Sequence, residues 1–179
     1  MNRLLVIVII LMVVLISCKA NSSSHDADIE NNNEQAPLEQ AGETQGAIKS
    51  DYAPGSWITS YSLALQYAKE TGKPVLINFT GSDWCSWCIK LRNEVFSQDA
   101  FLDYAKNDLI LLTIDFPMKK KLPVAEQQAN NELASQYGIE GYPTIVLVDS
   151  AGKEIARTGY QYGGAEAYVT HLRELLAPK

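Results

Sequence analysis

Gly81-Ser82-Asp83-Trp84-Cys85-Ser86-Trp87-Cys88-Ile89-Lys90 is the stretch on which the rest of the chain turns. Just before it, Val75-Leu76-Ile77-Asn78-Phe79-Thr80 is a short apolar run that predicts a buried strand. Just after it, Cys88, Leu91, Val95 and Phe96 recur at a spacing that fits one face of a helix. Cys85 therefore falls where a strand hands over to a helix, with its sulfur near the unpaired N–H groups of the first turn. The positive end of the helix dipole favours a thiolate there over a thiol. Cys88, inside that first turn, is within reach to close a small disulfide ring with Cys85. The pattern predicts a reversible redox pair, Cys85 the exposed attacker and Cys88 the shielded resolver.

Other readings of a Cys-x-x-Cys pair fare worse. Zinc needs two further ligands at suitable spacing. The only other cysteine is Cys18, and the two histidines, His25 and His171, lie far apart in a tail and a late helix. Haem attachment needs a histidine directly after the second cysteine, where Ile89 stands. A purely structural disulfide across two residues removes little unfolded-state entropy. The expectation is a redox pair with no metal.

The chain has 179 residues, 15 basic against 21 acidic, with a formal net charge of −6. That length allows one domain of ordinary size plus extensions. No basic stretch suits nucleic acid. Met1-Asn2-Arg3 followed by an apolar run from Leu4 to Ile16 reads as a secretory leader, too short to span a bilayer. Its end, Leu15-Ile16-Ser17-Cys18, resembles the lipobox of bacterial lipoproteins. By that resemblance residues 1–17 are removed and Cys18 is lipidated, which attaches the chain to a membrane and accounts for the odd cysteine. Several acyl chains on one residue hold durably, where a single chain is marginal. Lys19 is not the acidic residue that often retains lipoproteins at the inner membrane, which favours the outer one.

Residues 18–55 read as a lipidated end and a tether. Asn21-Ser22-Ser23-Ser24, Asn31-Asn32-Asn33 and scattered acids leave little apolar surface to bury. As a flexible coil the segment after Cys18 spans about 33 Å.

From Ser56 the punctuation becomes regular, and residues 56–179 read as one domain. A helix from Ser60 to Thr71 stops at Gly72. Ser97 reads as the N-cap of a short helix through Phe101, Tyr104 and Ala105. Leu109 to Ile114 is a second wholly apolar strand, typical of a sheet covered on both faces. A loop carrying Lys119-Lys120-Lys121 follows, then a helix from Val124 to Tyr137. Ile145 to Val148 and Glu154 to Thr158 form a hairpin around Ser150-Ala151-Gly152-Lys153. The last helix, Ala165 to Leu176, buries Tyr168, Leu172, Leu175 and Leu176, with His171 at the margin. The sum is an α/β fold, a central mixed sheet flanked by helices on both faces.

With Trp84-Cys85-Ser86-Trp87-Cys88 opening a helix after a strand, and Tyr142-Pro143-Thr144 before a later strand, the domain resembles the thioredoxin-like proteins. The likeness covers about 56–179 and is nearest to exported, lipoprotein-type members with a Trp-Cys-x-Trp-Cys segment. It implies a cis Pro143 beside Cys85, with Tyr142 offering its backbone to an extended client. It also implies that Trp84 and Trp87 border the client site, Trp84 packed over it and Trp87 exposed. Thioredoxins commonly carry a buried acid where Asn78 stands, faced from the neighbouring strand by a lysine whose place Leu111 is expected to take. The neutral exchange spares the cost of desolvating charges. Asp83 is expected to be exposed and slightly to oppose a thiolate on Cys85.

The activity implied is thiol–disulfide oxidoreduction on client proteins outside the cytoplasm, without a cofactor. Its direction cannot be read from the Ser86-Trp87 dipeptide. Sustained reduction in an oxidising compartment calls for a membrane thiol partner. Two rivals remain: a lipid-tethered client-binding module without turnover, and a Cu(I) carrier using the two thiolates.

Overall fold

The computed structural model describes residues 52–178. Residues 1–17, Cys18 and most of the tether lie outside the described residues. The elements run β1 (Trp57–Ile58), α1 (Tyr61–Thr71), β2 (Val75–Thr80), α2 (Ser86–Leu91), a π-helical turn (Arg92–Phe96), α3 (Asp99–Asp108), β3 (Ile110–Asp115), α4 (Val124–Gln136), β4 (Thr144–Val148), β5 (Glu154–Thr158) and α5 (Gly164–Leu176). The five strands form one sheet in the order β1-β3-β2-β4-β5. β2 is central, parallel to β3 and antiparallel to β4, and β4 and β5 make the hairpin.

The pleat of β2 divides the core. Val75, Ile77 and Phe79 face α1 and α4, where Ala64, Tyr67, Ala68, Leu133 and Tyr137 are buried. Leu76 points the other way, with Leu111, Leu147 and buried side chains of α2, the π turn, α3 and α5. Burial on both faces is why β2 and β3 read as continuous apolar runs.

Local chemistry sets the helix ends. Ser60 caps α1 by accepting the Leu63 N–H, and Gly72 ends it at φ 70°, donating its N–H to Ala68. Ser97 does not cap α3: Gln98 occupies that position, and the Ser97 hydroxyl donates to the Asn93 carbonyl. The helix after Cys88 is not one continuous α-helix, because the ladder widens into the π turn at Arg92–Phe96. Such a turn adds a residue to the helical path, and here it leaves Val95 and Phe96 buried.

The packed structure also starts earlier than Ser56. Tyr52 stacks on Tyr67 with ring centroids 4.6 Å apart, and Trp57 of the two-residue edge strand β1 sits against Phe96 and Phe101. His171 lies at the margin of α5, its Nε2 2.9 Å from the Thr158 hydroxyl of β5. None of the helices among the described residues is long and apolar enough to cross a membrane.

Candidate functional site

The turn from β2 into α2 carries the site. Gly81 accepts the N–H of Cys85 at its carbonyl, and its missing side chain matters: a Cβ there would overlap the Trp84 indole. Cys85 is the N-cap of α2, with extended backbone angles of φ −78° and ψ 109°. Its Sγ accepts the Cys88 N–H at 3.2 Å, so sulfur replaces the usual capping oxygen. Cys85 and Cys88 are joined as a disulfide, with Cα atoms 5.2 Å apart.

The two sulfurs do not differ in the way the sequence suggested. Cys85 is 7 % exposed and Cys88 5 %, so exposure alone does not single out an attacker. Their surroundings do. The Cys85 sulfur lies 3.6 Å from the Tyr142 carbonyl oxygen, next to the cis Tyr142–Pro143 peptide bond. Cys88 faces inward onto a cavity of about 300 Å³, shared with Asn78, Thr113, Arg92 and Phe96.

The aromatic rim differs on its two sides. Trp84 is 40 % exposed; its indole Nε1 donates to the Phe116 carbonyl at 2.7 Å and its ring stands edge-on to Tyr142. Tyr142 in turn lies against Phe116, and burial pushes the pKa of its phenol up. Trp87, 47 % exposed, projects from α2 toward Tyr160 and Tyr162. The Lys90 ammonium sits 5.1–5.3 Å from the centroids of all three rings. Its pKa is raised first by the Tyr160 hydroxyl, which itself donates to Glu94.

The register corrects one assignment. Leu111 is not the residue across from Asn78, because it pairs with Leu76; Thr113 holds that place. The facing pair is still uncharged. The Asn78 Oδ1 is buried with no partner among the described residues, and Asn78 lines the cavity that Cys88 faces. An amide cannot take a proton from a thiol, whereas a carboxylate there could. Asn78→Asp should therefore accelerate the attack of Cys88 on the Cys85–client mixed disulfide by about tenfold, by taking the Cys88 proton, and give that step a new acid limb in its pH profile. Unchanged rates and an unchanged profile in rapid-quench kinetics would sink that account.

Asp83 has a second role that its sequence position does not reveal. Its carboxylate accepts the N–H groups of Met118 (2.9 Å), Lys119 (2.8 Å) and Lys120 (3.3 Å), so it clamps the loop after β3. Those N–H groups, Met118 first, hold the carboxyl below its ordinary value of 3.8. A depressed folded-state value means the clamp is complete above the ordinary value and is lost as pH falls through the depressed one. Backbone amide shifts of residues 118–120 should stay flat from neutral pH to below 3.8 and then move together. A transition at or above that value would contradict the clamp. Ser82 adds a second tie, donating its N–H and hydroxyl to Asp115. Sequence alone could not find these ties, because Gly81-Ser82-Asp83 reads as an ordinary turn and its partners lie some 33 to 37 residues away.

The thioredoxin-like domain family model matches residues 61–175. The chain belongs to the thioredoxin-like family. It is 40 % identical over 117 residues to the disulfide bond reductase DsbH of Chlamydia pneumoniae, covering 65 % of this chain and 70 % of that one. It is 30 % identical over 103 residues to the thioredoxin-related protein DsbJ of the same organism, covering 58 % of this chain but only 30 % of that longer protein. Among solved structures, a DsbH oxidoreductase superposes with a TM-score of 0.65 at 36 % identity, over 77 % of this chain and 93 % of that one. Within this family, a Cys-x-x-Cys disulfide at a strand-to-helix turn makes the chain a thiol–disulfide oxidoreductase.

Proposed function

We propose that this domain reduces disulfides of client proteins outside the cytoplasm, held at a membrane by lipidated Cys18. The observation that carries the reading is the Cys85–Cys88 disulfide set at a helix N-cap, beside the Tyr142 carbonyl. In the reduced protein the Cys85 thiolate attacks one sulfur of the client disulfide. A Cys85–client bond forms as the client S–S bond breaks, and one client thiolate departs and takes up a proton. The Cys88 thiolate then attacks Cys85 sulfur. The protein disulfide forms, the second client thiol leaves, and two electrons have passed to the client.

Tyr142 and Pro143 contribute by presenting backbone. With its carbonyl near Cys85, Tyr142 can pair with an extended client as an added strand would. Trp84 and Trp87 border the approach, Trp84 fixed by its bond to Phe116 and Trp87 half-exposed against Tyr160 and Tyr162, with one side of its ring open to a client. The direction, toward reduction, is supported by the likeness to a disulfide bond reductase. Returning Cys85–Cys88 to the dithiol requires a membrane thiol partner, since an exported compartment is oxidising. The leader at 1–17, the lipidated Cys18 and the tether through 55 supply the location, with the outer membrane favoured by Lys19.

The test is to express the full chain with Cys88→Ser and to isolate what stays disulfide-linked to it. Exported proteins bound through Cys85, in a membrane fraction that labels with fatty acid at Cys18, are the expected result. An unlabelled, cytoplasmic chain without linked clients would reject it.

A further inference from the structure

The loop after β3 carries Lys119, Lys120 and Lys121 between Pro117 and Pro123, on a chain whose formal net charge is −6. Among the described residues none of these ammonium groups pairs with a carboxylate; the ion pairs there are Lys90–Glu94 and Arg157–Glu154. The Asp83 carboxylate beneath the loop offsets part of this charge, through Lys119; three adjacent ammonium groups still repel one another, and a loop free to move would let them separate. This loop is held instead. Asp83 accepts three of its backbone N–H groups, Trp84 donates to the Phe116 carbonyl, and the Phe116 N–H donates to Thr80. The anchors Asp83 and Trp84 are the two residues that precede Cys85. The backbone that carries these lysines is therefore held in place relative to the reactive sulfur.

A cleft of about 450 Å³ opens beside the loop, with Phe116, Met118 and Leu122 along it and Lys120 and Lys121 at its edge. Its one carboxylate, Asp115, has both oxygens occupied by Ser82. Exposed Met118 and Val124 supply apolar surface. Packed side chains link the cleft to the redox site: the Phe116 ring lies tilted against Tyr142 with centroids 5.2 Å apart, and the Tyr142 carbonyl is 3.6 Å from the Cys85 sulfur. We propose that this Asp83-clamped lysine loop is a docking surface for an acidic polypeptide segment, interspersed with apolar residues, that flanks the disulfide of the protein reduced. The proposal rests on the reductase reading and adds its specificity. Charge complementarity of this kind acts mainly on the encounter rate and on the choice of partner.

The test uses the reduced full-length protein and two disulfide-bonded peptides of equal length, one with Asp/Glu flanks and one with Asn/Gln in their place. An uncharged small disulfide, hydroxyethyl disulfide, serves as the third substrate. We expect the acidic peptide to be reduced about tenfold faster than the neutral one at low ionic strength, the gap closing toward 1 M salt. Lys119→Glu/Lys120→Glu/Lys121→Glu should erase or invert that preference while leaving the neutral peptide and hydroxyethyl disulfide unchanged. Should the triple reversal fold poorly, the Lys→Gln triple variant reads the same ratio. Equal rates for the two peptides in the wild type, or a preference that survives the substitutions, would overturn the proposal. So would lysine-dependent binding to anionic phospholipid vesicles without any peptide preference, which would give the loop to a membrane. Failure to reduce any of the three substrates would instead reject the reductase reading, so the two failures are distinguishable.

Discussion

Cys85→Ser should abolish reduction of an insulin-type disulfide, with a loss of at least about a thousandfold, because Cys85 is the sulfur set beside the Tyr142 carbonyl, whereas Cys88 lines the cavity shared with Asn78. Cys88→Ser should behave differently. It keeps the attack by Cys85 but removes the intramolecular displacement, so mixed disulfides accumulate and turnover falls to the rate of external thiols. The contrast matters more than either number. In the disulfide form both cysteines are almost equally buried, and only their neighbours distinguish them. Equal trapping by both variants, read by gel shift and mass spectrometry, would show that the assignment of attacker and resolver is wrong. Client binding that survives in both single variants and in the double variant would favour a binding module without turnover.

The other large effect lies in the strand that holds the site. Phe79 is fully buried, packs against Tyr137 and stands two residues before Gly81. Phe79→Ala should cost about 3–5 kcal/mol, from lost transfer energy and the cavity left behind. For a domain of this size that is a large share of its whole stability. Phe79→Leu, nearer in volume, should cost less than about 1.5 kcal/mol and leave the exchange rate intact. Urea unfolding curves give both values. If the two substitutions cost the same, the packing of Phe79 does not hold β2 in the way described.

What could be read in advance was local. The apolar run of β2, the Cys-x-x-Cys spacing and the Gly72 stop of α1 each depend on neighbours within one turn or strand, so the hand-over at Cys85 is visible in the sequence. Features set by distant pairing were not. β1 is two residues long and exists because Trp57 and Ile58 pair with Leu111 and Leu112. Assigning Leu111 as the partner of Asn78 failed for the same reason, since a parallel register is fixed by the crossover and not by either strand alone. The π turn has no periodic signal, because the apolar residues it buries, Val95 and Phe96, fit an ordinary helix equally well. Asp83 reads in the sequence only as a charge near the thiolate; that its oxygens also hold the loop after β3 depends on pairing with residues 118–120.

The account stands on Cys85 being the nucleophile, activated by the Cys88 N–H and the first turn of α2. Timed alkylation of the dithiol protein across pH, read by mass spectrometry at each cysteine, measures this directly. Cys85 should be modified first, with a rate midpoint below the value of about 8.5 for free cysteine. Faster modification of Cys88, or a Cys85 midpoint at or above that value, would contradict it.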